Sequence, residues 1–292
     1  MIELSRKIFP YLLLIPTFLI VVIFIYYPAF QTFKLSFYKM SPFGNRLFFT
    51  GFGNFWSLFT SGQYIQSAYT TLIFVVVTVV AGLTISLFLA LLLNQKVPGI
   101  GIFRTLIFAP YAVSPAVAGT LWAFLLSPVA GYISYLFLVL FKAQPQWLTT
   151  YPLALIAIMI ATIWKNLGFN IIFFLAGLQS IPQSYYEAAT IDGANASSRL
   201  IKITIPLLSP ITFYLIVMNV TFTAFSAFAT IDVMTQGGPA NTTSTLIYKL
   251  YQDGFVNFNT GFASAESVIL ILIMAVFTYL YFKFGQKAVF YQ

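Results

Sequence analysis

Six long apolar runs constrain this chain more than any other feature. They cover residues 8–27, 68–93, 103–126, 152–176, 206–230 and 264–284. A helix crosses ~30 Å of hydrocarbon with about 20 residues at 1.5 Å each, and every run reaches that length. Lipid offers no water to satisfy open backbone groups, so runs of this kind fold as helices. The expectation is an all-α polytopic membrane protein of six transmembrane helices, forming a single transmembrane domain over residues 1–292. A seventh apolar run, 129–141, is too short to span, and Gly131 and Ser134 within it favour a surface helix. Arg6 and Lys7 precede the first run, but it is too long for a signal-peptide core and no small-x-small cleavage site follows. It reads as a retained span.

Composition removes whole classes of function. Charged residues make up 7% of the chain and hydrophobic ones 60%, against roughly a quarter charged in soluble domains. The net charge of +8 comes from 14 basic residues scattered singly or in pairs, so no basic stripe tracks a nucleic-acid backbone. The absence of Cys and His excludes disulfides, thiolate nucleophiles, imidazole bases and Cys/His zinc sites. No GxxxxGK[ST] sequence is present to bind nucleotide. Neither a catalytic residue, nor a metal site, nor a cofactor of its own is expected. None of the six acids sits clearly inside a span, which disfavours a proton- or ion-coupled secondary transporter or a channel.

Six spans place both termini on one side. That side carries Arg6, Lys7, Lys96, Arg104, Arg199, Lys202, Lys283 and Lys287; the other carries Lys34, Lys39, Arg46, Lys142 and Lys249. The positive-inside rule then puts both termini in the cytoplasm, the loop 29–66 outside and the loop 180–205 inside.

The inner loop contains SYYEAATIDGAN, residues 184–195. Ser184 and Glu187 have capping-box spacing, Pro182 ends the preceding helix, and Ala188 and Ala189 are strong helix formers. Gly193 suits a left-handed stop, and a second helix is expected from Ala196 through Arg199 and Lys202 toward Pro206. Small exposed residues admit another surface at close range, but a solvated connector satisfies the same residues.

A family resemblance goes further. Glu187-Ala188-Ala189, Gly193, then Ile203-Thr204-Ile205-Pro206 resembles the signature loop of ABC-importer membrane subunits, with Ile205 where leucine is usual. Gly51-Phe52-Gly53-Asn54-Phe55, Phe103-Arg104 through Pro110 and Trp122, and Gly237-Gly238-Pro239 followed by Thr245-Leu246-Ile247-Tyr248 are similar to sugar-type permeases. APYAVSPAVAGTLWAFL, LQSIP, TTLIYKLYQDGF and the terminal YQ resemble the sn-glycerol-3-phosphate (Ugp) subgroup, as does Tyr69-Thr70-Thr71.

The resemblance implies the type I ABC-importer fold with a cytoplasmic coupling helix. Tyr185, Tyr186, Glu187, Ala188, Ala189, Asp192, Gly193 and Asn195 would meet the ATPase. Its implied partners are a second permease subunit, two copies of an ATPase holding ATP and Mg, and an external substrate-binding protein. The implied setting is the cell (inner or plasma) membrane. The implied cargo is sn-glycerol-3-phosphate or a related glycerophosphodiester, with a neutral oligosaccharide as the alternative.

Lys165 falls near the middle of the fourth span, where a charge costs ~2.5–3.5 kcal/mol. It is a candidate contact for an anionic substrate, or it snorkels, stacks on Trp164 or meets a partner's carboxylate. Asn166 and Asn170 share a helix face at i, i+4, and Asn219, Thr223 and Ser226 share another. Both sets line a polar pathway or serve as interhelical glue. Asp232 stands just outside the fifth span, near the Gly-Gly-Pro turn, and is a further pathway candidate, for contact with the incoming ligand or its binding protein. Tyr111, Ser114 and Pro115 mark a kink in the third, and Gly237, Gly238 and Pro239 are candidates for docking the binding protein.

Overall fold

The computed structural model describes residues 2–41, 46–95 and 98–285, with side chains from residue 11 onward. Lys96, Lys287 and the terminal Tyr291-Gln292 lie outside the described residues, as do the side chains of Arg6 and Lys7.

In chain order the elements are α1 (Ile2–Val21), a π turn (Val22–Tyr26), α2 (Tyr27–Leu35), β1 (Tyr38–Met40), β2 (Leu47–Phe49), α3 (Gly53–Thr60) and α4 (Gly62–Leu93). Then come α5 (Ile100–Phe108), α6 (Pro115–Leu125), α7 (Tyr132–Phe141), α8 (Leu153–Ser180), α9 (Gln183–Ile191) and α10 (Ala196–Arg199). After a second π turn follow α11 (Ile205–Leu207), α12 (Ser209–Ser226), α13 (Phe228–Met234), α14 (Leu246–Tyr251) and α15 (Thr260–Gly285). Among the described residues five helical stretches are long and apolar enough to cross a membrane, and the bent pair Ile100–Ala112 and Pro115–Leu125 makes a sixth. The short run ending at Phe141 is α7, separate from these.

The chain divides into two compact units, Met1–Ile65 with Lys249–Ile273, and Gln66–Tyr248 with Met274–Gln292. In the first unit the opening helix outruns its expected end at Tyr27 and reaches Leu35. Pro28 follows directly on the π turn, where the Tyr27 N–H already reaches back five residues to the Val22 carbonyl, so the missing N–H falls where the helical ladder is shifted. The loop that follows therefore begins near Ser36. Its hairpin pairs Tyr38 with Phe49 and Met40 with Leu47. The buried Asn54 amide holds α3 against it, donating to the carbonyls of Ser36 (2.8 Å) and Tyr38 (2.9 Å). Gly261 at the start of α15 packs so closely on the Tyr38 carbonyl that a Cβ there would collide with it. Only glycine fits.

The second unit has an apolar core drawn from α4, α8 and α12, with Val79, Leu83, Ile171, Phe174, Leu178 and Leu215 among its buried members. Gly177 lets Ile211 and Leu208 approach α8, and Gly168 lets the end of α5 do the same. Arg104 on α5 donates to the Leu93 carbonyl at 2.8 Å, satisfying one open group at the end of α4.

The third span is broken, with α5 and α6 meeting at 102°. Pro115 disfavours a helical conformation at Ser114, which is extended (φ −66°, ψ 153°). The Ser114 hydroxyl then accepts from the Val117 N–H at 3.3 Å and caps α6. The kink expected at Tyr111, Ser114 and Pro115 is a full corner.

Candidate functional site

The loop at residues 180–205 forms a helix, a glycine bend and a second helix. α9 starts at Gln183, and Pro182 in the cap position makes no side-chain hydrogen bond. The expected capping box of Ser184 and Glu187 is therefore not the device that starts it; Pro182 terminates α8 and fixes an extended entry instead. Gly193 has φ +78° with nothing within 4 Å of a built Cβ, so backbone conformation and not space demands glycine. Asn195 accepts from the Ser198 N–H at 2.8 Å and caps α10.

This loop is pinned from beneath. The Tyr186 hydroxyl meets the buried Thr204 hydroxyl at 3.0 Å, and Arg199 donates to the Thr190 hydroxyl at 3.0 Å. Tyr186 and Asn195 are thus occupied with holding the loop, and Ala189 is half-buried. Tyr185, Glu187, Ala188, Asp192 and Gly193 are exposed, and so is Ile191 at 87%. Ile191 escaped the sequence reading because a single isoleucine in a helix gives no sign of facing water. On this loop it is the most exposed large apolar side chain.

Within the second unit a cavity of about 260 Å³ is lined by Tyr111, Thr162, Lys165, Asn166, Phe222 and Ser226, with Pro115, Ala227 and Thr230. The Lys165 ammonium lies 5.2 Å from the centre of the Tyr111 ring, so it stacks there and not on Trp164, whose partner is Trp122. Among the described residues no carboxylate pairs with Lys165.

Of the seven pathway candidates, three line this cavity: Lys165, Asn166 and Ser226. Asn170 and Asn219 are buried against each other, exchanging amide hydrogen bonds of 3.2 and 2.7 Å, with Asn219 also donating to the Leu215 carbonyl at 2.8 Å. They join α8 to α12. Thr223 is buried outside the cavity. Asp232 accepts from the Tyr248 hydroxyl at 3.3 Å.

The Gly237-Gly238-Pro239 turn is anchored by threonines: Thr243 donates to the Gly238 carbonyl and meets the Thr235 hydroxyl, while Thr71 accepts from the Leu246 N–H. Gly237 is buried beneath Tyr248, where a Cβ would lie 2.8 Å from the ring. Only Gly238 and Pro239 of the three are partly open.

In the first unit Glu266 corrects the expectation that no acid lies within a span. It sits two turns into α15, 2% exposed, and neither carboxyl oxygen has a donor. Its neighbour Asp253 already accepts from Lys249 at 2.8 Å and Asn257 at 3.0 Å. The acid is invisible to hydropathy because its flanking residues are apolar and small.

The fold matches that of a chain in a crystal structure of a bacterial ABC transporter involved in the import of the acidic polysaccharide alginate, with TM-score 0.86 at 23% identity over 98% of this chain and 97% of that one. A second solved chain, from the alginate transporter in complex with an alginate pentasaccharide-bound periplasmic protein, gives TM-score 0.83 over 96% and 94%. Residues 82–289 match the family model of the binding-protein-dependent transport system inner membrane component, and the chain belongs to that family of multi-pass ABC-importer permeases. Among its relatives, the sn-glycerol-3-phosphate transport system permease protein UgpA of Agrobacterium fabrum (strain C58) is 42% identical over 98% of this chain and 97% of its own. The UgpA protein of Escherichia coli O157:H7 is 40% identical over 99% of both.

Proposed function

We propose that this chain is the permease subunit of an ATP-driven, binding-protein-dependent importer of sn-glycerol-3-phosphate or related glycerophosphodiesters. Identity of 40% and 42% along nearly the whole chain to permeases named for that substrate is the observation that carries the reading. The cavity agrees with it. Lys165 brings a positive charge that no carboxylate among the described residues neutralises, and a charge-assisted hydrogen bond to phosphate is about twice as strong as a neutral one. A volume of about 260 Å³ lies below the ~300–1,000 Å³ typical of drug-sized ligands, which suits a small polyol phosphate better than an oligosaccharide.

In this proposal the termini and α9 face the cytoplasm. The exposed α9 residues and Ile191 dock in a cleft of an ATPase subunit, two of which bind ATP and Mg. A second permease completes the pathway, and an external binding protein delivers substrate near Gly238 and Pro239. Closure of the ATPase dimer moves α9 as a near-rigid body and rocks the permease halves between outward and inward openings. Phe222 offers a ring in the cavity wall on which a sugar stacks, which favours the second reading, a neutral oligosaccharide. ATPase activity of the reconstituted complex with its binding protein separates the two. Stimulation by glycerol-3-phosphate and not by maltose-like sugars is expected; the reverse overturns the substrate assignment.

A further inference from the structure

The segment between the first two spans carries a largely exposed aromatic face. Phe52, Trp56 and Phe59 follow at i, i+4, i+7 along α3, and Phe52 and Trp56 are each 74% exposed. The opposite face of the same helix is fastened down: Leu58 is 0% exposed, and Asn54 is tied to the hairpin. Phe37 packs edge-on against Phe52 at 5.5 Å and tilted against Phe55 at 5.6 Å, so hairpin and helix form one body. Leu47, Phe48 and Phe49 of β2 are exposed beside them. A water-facing loop built this way would show several large apolar side chains in one patch, which soluble surfaces avoid.

We infer that α3 and its hairpin are an interfacial anchor, lying in the headgroup layer of the bilayer and favouring anionic lipid. Three observations select lipid as the occupant. Only Ser61 separates α3 from α4, so the patch is continuous with a membrane span. The 32 residues of α4 reach ~48 Å, close to the ~40–45 Å of a bilayer including its headgroups. The first turn of α4 therefore stands at headgroup depth, where Trp and other amphipathic rings concentrate. Charge supplies the third: residues 28–65 contain Lys34, Lys39 and Arg46 and no acid, and all three side chains are exposed. Basic groups beside an inserted aromatic face bind anionic headgroups.

The test uses the full chain in vesicles of phosphatidylcholine and phosphatidylglycerol, reading Trp56 as the fluorescence difference between wild type and Trp56→Phe. The other three tryptophans are common to both proteins and cancel. Lipids brominated near the glycerol end should quench the Trp56 signal several-fold more than lipids brominated at the acyl terminus, while aqueous iodide hardly touches it. Brominated phosphatidylglycerol should quench more than brominated phosphatidylcholine at equal mole fraction, and high salt should remove that difference. Strong quenching by iodide with none by lipid overturns the inference. So does protection from both, which would mean that a protein covers the face. Equal quenching by the two headgroups overturns the anionic preference.

Discussion

Replacing Asn170 with leucine removes half of a reciprocal amide pair between two spans. The wild-type pair exchanges two hydrogen bonds, 3.2 and 2.7 Å, in a buried setting, and Asn219 keeps a third to the Leu215 carbonyl. Interhelical hydrogen bonds in membranes average about 0.6 kcal/mol and reach about 1.7, so the two together contribute about 1–2 kcal/mol. The single variant also orphans the Asn219 side-chain oxygen, and an unsatisfied buried group costs ~1–3 kcal/mol. Asn219→Leu does the same to Asn170. In the double variant both polar groups are gone and leucine fills similar space, so its cost should fall well below the sum of the singles. Reversible unfolding of the purified chain in mixed micelles with rising dodecyl sulfate, followed by circular dichroism, gives all three free energies. A coupling of about 1–2 kcal/mol is expected. Additivity within ~0.3–0.5 kcal/mol, the behaviour of independent sites, would refute the pairing of α8 with α12 through these amides.

Gly193→Val forces a β-branched residue into left-handed backbone at ~1–2 kcal/mol and should re-aim α9. In proteoliposomes ATP hydrolysis should persist while uptake falls, and wild-type coupling would remove this loop from the mechanism. Lys165→Met deletes a charge-assisted contact worth ~1.5–3 kcal/mol, so uptake of a phosphate-bearing substrate at low concentration should drop roughly ten- to a hundredfold, as radiolabel accumulation would show. Gly168→Leu places a Cβ 2.8 Å from the Phe108 Cα and 3.0 Å from the Ile107 carbonyl. Because backbone and not a flexible side chain must yield, the folded yield in detergent should collapse, with Gly168→Ala intermediate. Glu266→Gln replaces a buried carboxyl group whose oxygens lack a donor by a neutral amide beside Asp253, and the melting temperature should rise by the equivalent of ~1 kcal/mol.

The spans were legible because hydropathy and length decide them without knowledge of packing. The corner at Ser114–Pro115 and the bend at Gly193 were legible too, since proline geometry and positive φ are local properties. What the residues could not disclose was which face of one helix meets which face of another. Asn170 and Asn166 share a face by spacing, yet one pairs with Asn219 and the other lines the cavity, a division fixed only by where α12 lies. Lys165 resting on Tyr111 depends on the corner that swings Tyr111 inward. Glu266 eluded the hydropathy argument because one acid among small and apolar neighbours barely lowers a window's average. Ser184 and Glu187 had the right spacing for a cap, but Pro182 had already set the helix start.

The corner in the third span has an electrical consequence. A continuous helix hides its dipole ends at the membrane surfaces; a broken one brings an end inside. α6 begins at Pro115, which lines the cavity, and the start of a helix carries roughly half a positive elementary charge. The same break brings the opposite end of the preceding segment to the cavity as well, because the turn Ala109–Ala112 finishes there and Tyr111 lines the wall beside Pro115. The two half charges nearly offset each other across the corner. The charge left uncompensated by the backbone is the Lys165 ammonium, so any preference of this cavity for anions should rest on that one side chain and vanish in Lys165→Met.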